Sequence, residues 1–318
     1  MKAFVAPTDG DWFDFLLEKA RGGGVDEVNF WMPKPWGGRF QVLDRGQPLL
    51  FKLKSPRNAV AGGGFFSHYT EVPLSLAWDA FGEKNGARSL EEVRNRIGRL
   101  RRETPRLWDD YTIGCILLAE PFFWDEPDWI PGPPGWKRNI VRGRSYDLQT
   151  EPGRTLWEQV VDRLERKALG AAADRVAEPA AFGGYGDPTL TPRRIGQGIF
   201  RSLVTDLYGR SCAISQERAL PALEAAHIRP FSDERGHSIR NGILLRSDVH
   251  RLFDAGYLTI TPELRVEASS RMREDFNDGE FYLRLHGGLV RVPEEEELRP
   301  DPRNLQWHNE NRFRGDFR

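Results

Sequence analysis

Three residues suited to phosphate-ester chemistry stand in the second half of this 318-residue chain: His227, Asn241 and His250. They are 14 and 9 residues apart, which leaves room for a short hairpin, a loop and the first turns of a helix. Such elements could bring the three side chains around one metal ion. An imidazole titrates near neutral pH and suits a general base, and a second imidazole suits a metal ligand. The pattern therefore predicts metal-assisted hydrolysis of a nucleic-acid phosphodiester.

The charge around these residues favours contact with phosphate. The whole chain has a net charge of −1, which argues against a uniformly basic protein. Residues 193–251 nevertheless contain ten Arg, no Lys and six Asp or Glu, a net charge of +4. A solvated surface is the alternative explanation, but the guanidinium fork matches phosphate oxygens. The candidates for DNA contact are Arg193, Arg194, Gln197, Arg201, Arg229 and Arg246.

The elements predicted to position the motif follow one another closely. Hydrophobic periodicity and turn residues predict them in this order: a helix over 194–207, two short strands flanking 212–228, a loop over 232–240, a helix over 247–254, and a strand pair at 258–260 and 265–268. The histidine, the asparagine and the second histidine would then lie on a strand, a loop and a helix.

Four blocks of sequence resemble the HNH endonuclease family, in particular its branch among restriction endonucleases. They are RIGQGIFR at 194–201, YGRSCAI at 208–214, EAAHIRP at 224–230 and RNGILLRSDVHRLFD at 240–254, with Gly256 following. The resemblance covers residues 193–270 and implies a site built from two β-strands, one helix and a metal. It implies that His227 is the general base, that Asn241 holds the loop and orients the base, and that His250 is a metal ligand.

Two acidic residues are candidates for further metal ligands. Asp254 lies four residues after His250, on the same helical face; capping of the helix end is the alternative. Many members of the family carry Asp or His directly before the base, where this chain has Ala226. Glu224 is the nearest carboxylate, but residues three apart on a strand face opposite sides, so it would need a bulge to reach the metal.

Simpler interpretations apply to several of these residues. His227 alone would be a hydrogen-bonded structural histidine, and Asn241-Gly242 alone would be a turn. Asp248 is predicted to cap a helix or form a salt bridge. His237 is predicted to be exposed, and His286 and His308 have no identifiable partner.

The resemblance also implies a divalent metal, with Mg²⁺ first and Mn²⁺, Ni²⁺ or Zn²⁺ as alternatives. Cys115 and Cys212 are the two cysteines of the chain, too few for the four-cysteine zinc knuckle of many relatives. The N-terminus has no signal-peptide core and no run approaches about 20 apolar residues. The protein is therefore expected to be soluble and cytoplasmic, with reduced thiols.

Residues 1–150 read as a mixed α and β region. Helices are predicted over 11–21, over 89–103 with Ser89 and Glu92 as a capping box, and over 155–170; strands are predicted over 39–43, 48–54 and 111–118, with a strand pair within 137–148. A loop is expected over 121–136, and residues 171–192, rich in Ala, Gly and Pro, read as a linker.

The order of the segments in this first region and their residue types resemble those of PUA-like β-barrels of the EVE type. This resemblance implies a pocket for a flipped, modified base. Aromatic rings can stack on such a base, and Gly62 to Gly64 would let backbone approach it closely. The candidate pocket residues are Trp31, Trp36, Phe66, Tyr69 and Trp136. For any one of these rings, a place in the core is the alternative.

These observations predict an α+β protein in three parts: a PUA-like barrel over 1–150, a helix and linker over 151–192, and an HNH nuclease domain over 193–318. The predicted function is a modification-dependent restriction endonuclease that reads a 5-substituted cytosine in double-stranded DNA and works as a homodimer. The alternatives are a sequence-reading HNH nickase or homing-type nuclease, a non-catalytic nucleic-acid-binding protein, and a first domain that binds peptide or protein.

Overall fold

The computed structural model describes residues 1–37, 40–106, 108–133, 135–137, 140–173, 196–230, 238–276 and 279–315, and only the backbone of 168–173. The chain divides into two compact units, residues 1–194 and residues 195–318. Within the described ranges, every helix is too short or too polar to span a lipid bilayer.

The first unit is built on a mixed sheet. Its strands are β1 (Lys2–Thr8), β2 (Glu27–Met32), β3 (Pro48–Leu53), β4 (Ala59–Pro73), β5 (Thr112–Phe123), β6 (Ile130–Pro131) and β7 (Arg144–Asp147). Its helices are α1 (Gly10–Arg21), α2 (Leu74–Phe81), α3 (Leu90–Arg101) and α4 (Gly153–Ala173). The strand order is β2-β5-β4-β3-β1-β7, with β6 paired to β4. Strands β1 and β3 are parallel, and the other neighbours are antiparallel.

The sheet has a hydrophobic core on each face. On one face α1 contributes Trp12, Phe13 and Leu16 to a cluster with the rings of β3 and β5. On the other face α4 contributes Leu156 and Val160. The helix predicted over 155–170 is present as α4, and it packs on the sheet of the first unit. Residues 174–192 of the predicted linker lie outside the described residues.

The mixed α+β class is observed, but the predicted barrel is not confirmed. Among the described strands, β2 and β7 stand at opposite ends of the order and do not pair, so the sheet is open. The strand predicted at 39–43 is wrong for its described residues 40–43, because β3 already pairs with β1 and β4 and has no free edge. Within 137–148 the described structure has one strand, β7, which pairs with β1.

Several other predictions for this unit need correction or are confirmed. Strand β5 runs five residues beyond the predicted end at Leu118, and β6 lies within the predicted loop. Helix α3 begins after Ser89, whose hydroxyl accepts the Glu92 N–H, as predicted. The Glu92 carboxylate, however, accepts from the Arg88 N–H rather than from that of Ser89.

The second unit packs short elements around one core. Its elements are α5 (Gln197–Leu207), β8 (Leu223–His227), β9 (Gly242–Arg246), α6 (Ser247–Asp254), β10 (Leu258–Ile260), β11 (Val266–Ala268), α7 (Arg271–Phe276), α8 (Glu280–Leu283) and α9 (Pro302–Asn311). Strands β8 and β9 pair antiparallel, as do β10 and β11. Helix α6 and the β10–β11 pair are confirmed. The two strands near 212–228 are corrected to one, β8, whose partner β9 follows later in the chain.

Candidate active site

The β8–β9 hairpin places His227 at the end where the connecting loop begins. His227 pairs with Gly242 across the hairpin. A Cβ on Gly242 would lie 2.9 Å from the Phe200 ring, so glycine at this position lets α5 pack directly against the hairpin. The Phe200 ring then stacks on the His227 imidazole, with ring centroids 4.1 Å apart and planes 7° apart. The plane of this imidazole is fixed by an apolar neighbour.

Asn241 fixes the backbone that follows His227. Its carboxamide is fully buried. Its Nδ2 donates to the Arg229 carbonyl at 2.8 Å, and its Oδ1 accepts from the Arg229 N–H at 2.9 Å. The Asn241 carbonyl accepts from the Ile228 N–H at 2.9 Å. Asn241 therefore lies behind the site and holds the loop, and the three motif residues do not all face one point.

The imidazole of His250, on α6, lies between two carboxylates. Its Nδ1 is 2.6 Å from Glu224 Oε2, and its Nε2 is 3.2 Å from Asp254 Oδ2. Glu224 reaches the ring although the register of β8 with β9 is unbroken, so the bulge expected from the sequence is not needed. Asp254 faces His250 one helical turn away and does not cap the helix end through a side-chain bond that the structure shows.

This arrangement fits a metal in its donor types. A neutral imidazole has one N–H and can donate to only one of two carboxylates. If Nδ1 donates to Glu224, the Nε2 lone pair faces the Asp254 carboxylate, a contact that a cation between them would stabilise. His250 and Asp254 are the residues that would hold such a cation. In the described part of the chain, no three His, Cys, Asp or Glu side chains already converge as a complete metal cage.

His227, Glu224, His250 and Asp254 all line one cavity of about 620 Å³. Its remaining lining residues are Gln197, Phe200, Arg201, Ala225, Ile228, Pro230, His308 and Arg312. Loss of hydration beside the protein raises the pKa of the Asp254 carboxyl, against the opposing charges of His250 and Arg312.

The predicted DNA-contact residues have different surroundings. Gln197 and Arg201 line the cavity. The Arg229 guanidinium lies over the Trp307 ring, 5.2 Å from its centroid. Arg246 binds Asp248 through two hydrogen bonds of 2.6 and 2.7 Å, so its donors are engaged within the protein. Arg193 and Arg194 lie outside the described residues, as does His237.

Asp248 forms the salt bridge predicted as one of its two alternatives. Hydrogen bonds from Arg246, with help from Tyr282, lower the pKa of Asp248 to about 2. The Cys212 Sγ accepts hydrogen bonds from the Ser215 and Arg246 backbone N–H groups.

Six residues of the cavity were not predicted from the sequence as part of the site: Phe200, Ala225, Ile228, Pro230, His308 and Arg312. Phe200 lies in the block at 194–201 and directly precedes Arg201, a predicted DNA-contact residue. This position was the available signal that Phe200 belongs to the site. His308 and Arg312 are one helical turn apart near the end of α9. Nothing in their local sequence indicates a site, since their position depends on the packing of α9.

The candidate pocket residues of the first unit do not form one group. Trp36, Phe66 and Tyr69 surround the Phe40 ring, with centroids 5.3 to 5.7 Å from it. Trp31 packs on the same core cluster, and its indole N–H donates to the Asn85 carbonyl at 2.9 Å. Trp136 belongs to the opposite face of the sheet, where Lys52 Nζ lies 5.2 Å from its ring centroid.

The glycine run also has a structural use. A Cβ on Gly62 would lie 2.3 Å from the Phe122 carbonyl, and one on Gly63 would lie 2.7 Å from the Leu49 carbonyl. These glycines let neighbouring parts of the sheet approach closely, instead of leaving backbone open to a base. Phe66 is buried, so for this ring the core interpretation holds.

Comparison with known proteins agrees with the geometry of the second unit. Residues 212–261 match the family described as "HNH endonuclease". This part of the chain is an HNH endonuclease segment. The segment contains β8, β9 and α6, and with them His227, Asn241, His250 and Asp254. No curated protein matches the chain.

Solved structures show slighter likenesses. One is the "Modification dependent TagI restriction endonuclease", with 22% identity and a TM-score of 0.27, over 38% of this chain and 39% of that one. Another is "ASCH from Zymomonas mobilis", with 9% identity and a TM-score of 0.25, over 37% of this chain and 69% of that one. The chain thus spans about two-fifths of the first structure, and neither likeness carries an argument about activity.

Proposed function

We propose that the second unit hydrolyses phosphodiester bonds of DNA in the cavity beside His227. The observation that carries the proposal is that one cavity receives the His227 imidazole from the hairpin and the Glu224–His250–Asp254 group from the hairpin and α6. Its volume of about 620 Å³ suits a phosphate group with its attacking water. Two different imidazoles can therefore serve as base and as metal ligand.

His227 is the general base in this proposal. Phe200 fixes the plane of its ring, and Asn241 holds the backbone two residues further on. A base held in this way can take a proton from a water placed for in-line attack. The apolar face of Phe200 also excludes water from one side of the imidazole.

His250 and Asp254 would hold the metal, and Glu224 would orient His250 through Nδ1. A carboxylate on the second ring nitrogen fixes the tautomer and direction of a ligand imidazole. Mg²⁺ suits the oxygen donors best, with Mn²⁺, Ni²⁺ and Zn²⁺ as alternatives. When bound, such an ion stabilises negative charge on the phosphate and on the leaving 3′ oxygen.

For the first unit we propose recognition of a modified base, a 5-substituted cytosine, in double-stranded DNA. Trp36 and Tyr69 are half-buried neighbours and offer aromatic surface. The Tyr69 hydroxyl accepts from the backbone N–H of Trp36 and donates to the Glu71 carboxylate, both at 2.8 Å. A carboxylate is the side chain that accepts from cytosine N4. A homodimer would supply one nuclease site for each strand.

Cleavage of matched plasmids tests both parts. Plain, 5-methylated and 5-hydroxymethylated plasmids are incubated with the wild-type protein, with and without Mg²⁺ or Mn²⁺. The expected result is metal-dependent cutting of modified plasmid, which His227→Ala lowers by about 10²- to 10⁴-fold because the base is lost. His286→Ala is the matched control, since this exposed histidine of the same unit does not line the cavity.

The outcomes separate the parts of the proposal. Cutting by His227→Ala at the wild-type rate would remove the base assignment. Equal cutting of plain and modified plasmids would leave the nuclease and reject the modified-base reader. Cutting in EDTA at the same rate would reject the metal.

A further inference from the structure

The last helix of the chain, α9, lies outside the matched HNH segment and packs on the helix that carries His250. The His308 ring of α9 stacks on Phe253 of α6, with centroids 3.8 Å apart and planes 12° apart. His308 Nε2 is 3.2 Å from the Phe253 carbonyl, and Nδ1 is 2.8 Å from the Thr259 hydroxyl. These buried contacts fix α9 beside the site.

The chain leaving α9 is held against the turn that ends α6. Gly256 has a φ of +78°, and a Cβ there would lie 2.0 Å from the Arg312 carbonyl. The Gly256 carbonyl accepts from the Arg314 N–H at 2.8 Å. The backbone of Arg312 therefore lies against Gly256, which is two residues after Asp254. Only glycine permits so close an approach of the two backbone segments.

Arg312 lines the nuclease cavity together with Arg201 of α5, so residues from two separate parts of the chain bring positive charge to it. The charge of Arg312 acts on the Asp254 carboxyl in the same cavity. Within the described ranges, no hydrogen bond or salt bridge of 4 Å or less engages the Arg312 guanidinium. By contrast, Arg246 is bound to Asp248 and Arg210 to Asp206. A cation held in place by its backbone but free at its head can bind an anion that enters.

We propose that Arg312 binds a phosphate of the DNA strand in the cavity that His227 also lines. The guanidinium fork matches two phosphate oxygens and keeps its charge at any physiological pH. This inference rests on the proposed nuclease function and adds to it a residue from outside the HNH segment. In this proposal the role of α9 is to hold the Arg312 guanidinium at the cavity.

Salt-dependent binding tests the inference without requiring cleavage. Binding of a short modified duplex DNA is measured in EDTA over a range of salt for wild type, Arg312→Gln, Arg312→Lys and Arg303→Gln. For Arg312→Gln we expect severalfold weaker binding and a slope of log K against log salt that falls by about one, because one phosphate contact is lost. Arg312→Lys should keep the slope and recover part of the affinity, since it keeps the charge but lacks the fork.

Arg303→Gln is the matched control, because it removes the same charge from the same helix at a side chain 88% accessible and away from the cavity. It should bind as wild type does. Equal slopes for wild type and Arg312→Gln would overturn the inference, as would an equal loss in Arg303→Gln. Thermal melting of each variant shows whether a change comes from misfolding.

The proposed function fails in a different way. If His227→Ala cuts like wild type while Arg312→Gln still shows the reduced slope, the base is wrong and the phosphate contact stands. If wild type cuts in a His227-dependent manner and Arg312→Gln binds and cuts normally, the nuclease stands and the role of Arg312 is rejected.

Discussion

In the second unit the polar side chains of the site are held by specific hydrogen bonds and face a cavity, whereas in the first unit the aromatic residues pack mainly against one another. The His250 imidazole contacts the carboxylates of Glu224 and Asp254. The Asn241 carboxamide forms hydrogen bonds with the Arg229 backbone. Around Phe40, by contrast, each ring meets another ring. The packed rings of the first unit fill space, whereas the polar group of the second unit leaves a cavity open for a substrate.

The difference shows which kinds of residue carry information about function. A polar group that is buried or directed at a cavity needs a defined partner, because an unpaired one costs about 1–3 kcal/mol. Its position is therefore tied to particular neighbours. A large apolar ring stabilises the fold wherever it is buried, at about 25 cal/mol for each Å². Many positions can hold such a ring without any role in binding.

Among the changes that should lower both stability and activity, the largest effect is expected at Asn241. Asn241→Ala removes both partners of the Arg229 peptide groups, which should lower the free energy of unfolding by about 3 kcal/mol. The loop after His227 would loosen, and a displacement of about 1 Å in a catalytic group costs about 100-fold in rate. Denaturant unfolding and plasmid cleavage by the folded protein measure the two effects.

A buried asparagine of the first unit provides the comparison. Asn85 donates from Nδ2 to the Ala77 and Gly82 carbonyls and accepts from Asn29. Asn85→Ala should cost similar stability with no change in the rate at which folded protein cuts DNA. If both variants lose activity in proportion to stability, Asn241 has no special link to the site.

The HNH site could be predicted from the sequence to a large extent, because its residues are close together in the chain. His250 and Asp254 are one turn apart on a helix whose bounds were predicted correctly, and His227 and Asn241 are joined by a short hairpin. Arg312 could not be predicted, since it reaches the site through the packing of α9 on α6. Glu224 was predicted as a metal ligand that needed a bulge; with the register unbroken its carboxylate reaches the His250 ring, and its role as a ligand stays a prediction.

The first unit was predicted less well because its sheet is built from distant strands. Local alternation indicates that a segment is a strand but not which edge it pairs with. Strand β3 takes β1 as a parallel neighbour and β4 as an antiparallel one, and this left no edge for the hairpin expected at 39–43. The segment 40–43 instead contributes Phe40 and Leu43 to the core.

A second prediction concerns acid, and it tests whether the docking of α9 belongs to the core of the second unit. Burial lowers the pKa of His308 to about 4, and the charge of Arg312 acts in the same direction. The unfolded chain takes up a proton below about pH 6.5, which the folded chain does not do until about pH 4. The free energy of unfolding should therefore fall by up to about 3 kcal/mol as the pH drops from 6.5 to 4.

Denaturant unfolding of wild type and His308→Gln between pH 4 and pH 8 measures this contribution. The variant should lose some stability at pH 8, where His308 is neutral and makes its contacts, but its curve should be flatter below pH 6.5. Parallel curves for the two proteins would show that another group titrates in this window.

The smallest effect is expected at Tyr69, and it decides whether the aromatic group around Phe40 is core alone. Tyr69→Phe keeps the ring but removes the hydroxyl shared by the Trp36 N–H and the Glu71 carboxylate. The loss in free energy of unfolding should be about 1 kcal/mol. If Trp36 and Glu71 read a modified cytosine, the ratio of modified to plain plasmid cut should also fall. The reason is that Trp36 and Glu71 both lose their hydrogen bond to the Tyr69 hydroxyl. A stability loss with an unchanged cleavage ratio would assign these rings to the core and move the reader elsewhere in the first unit.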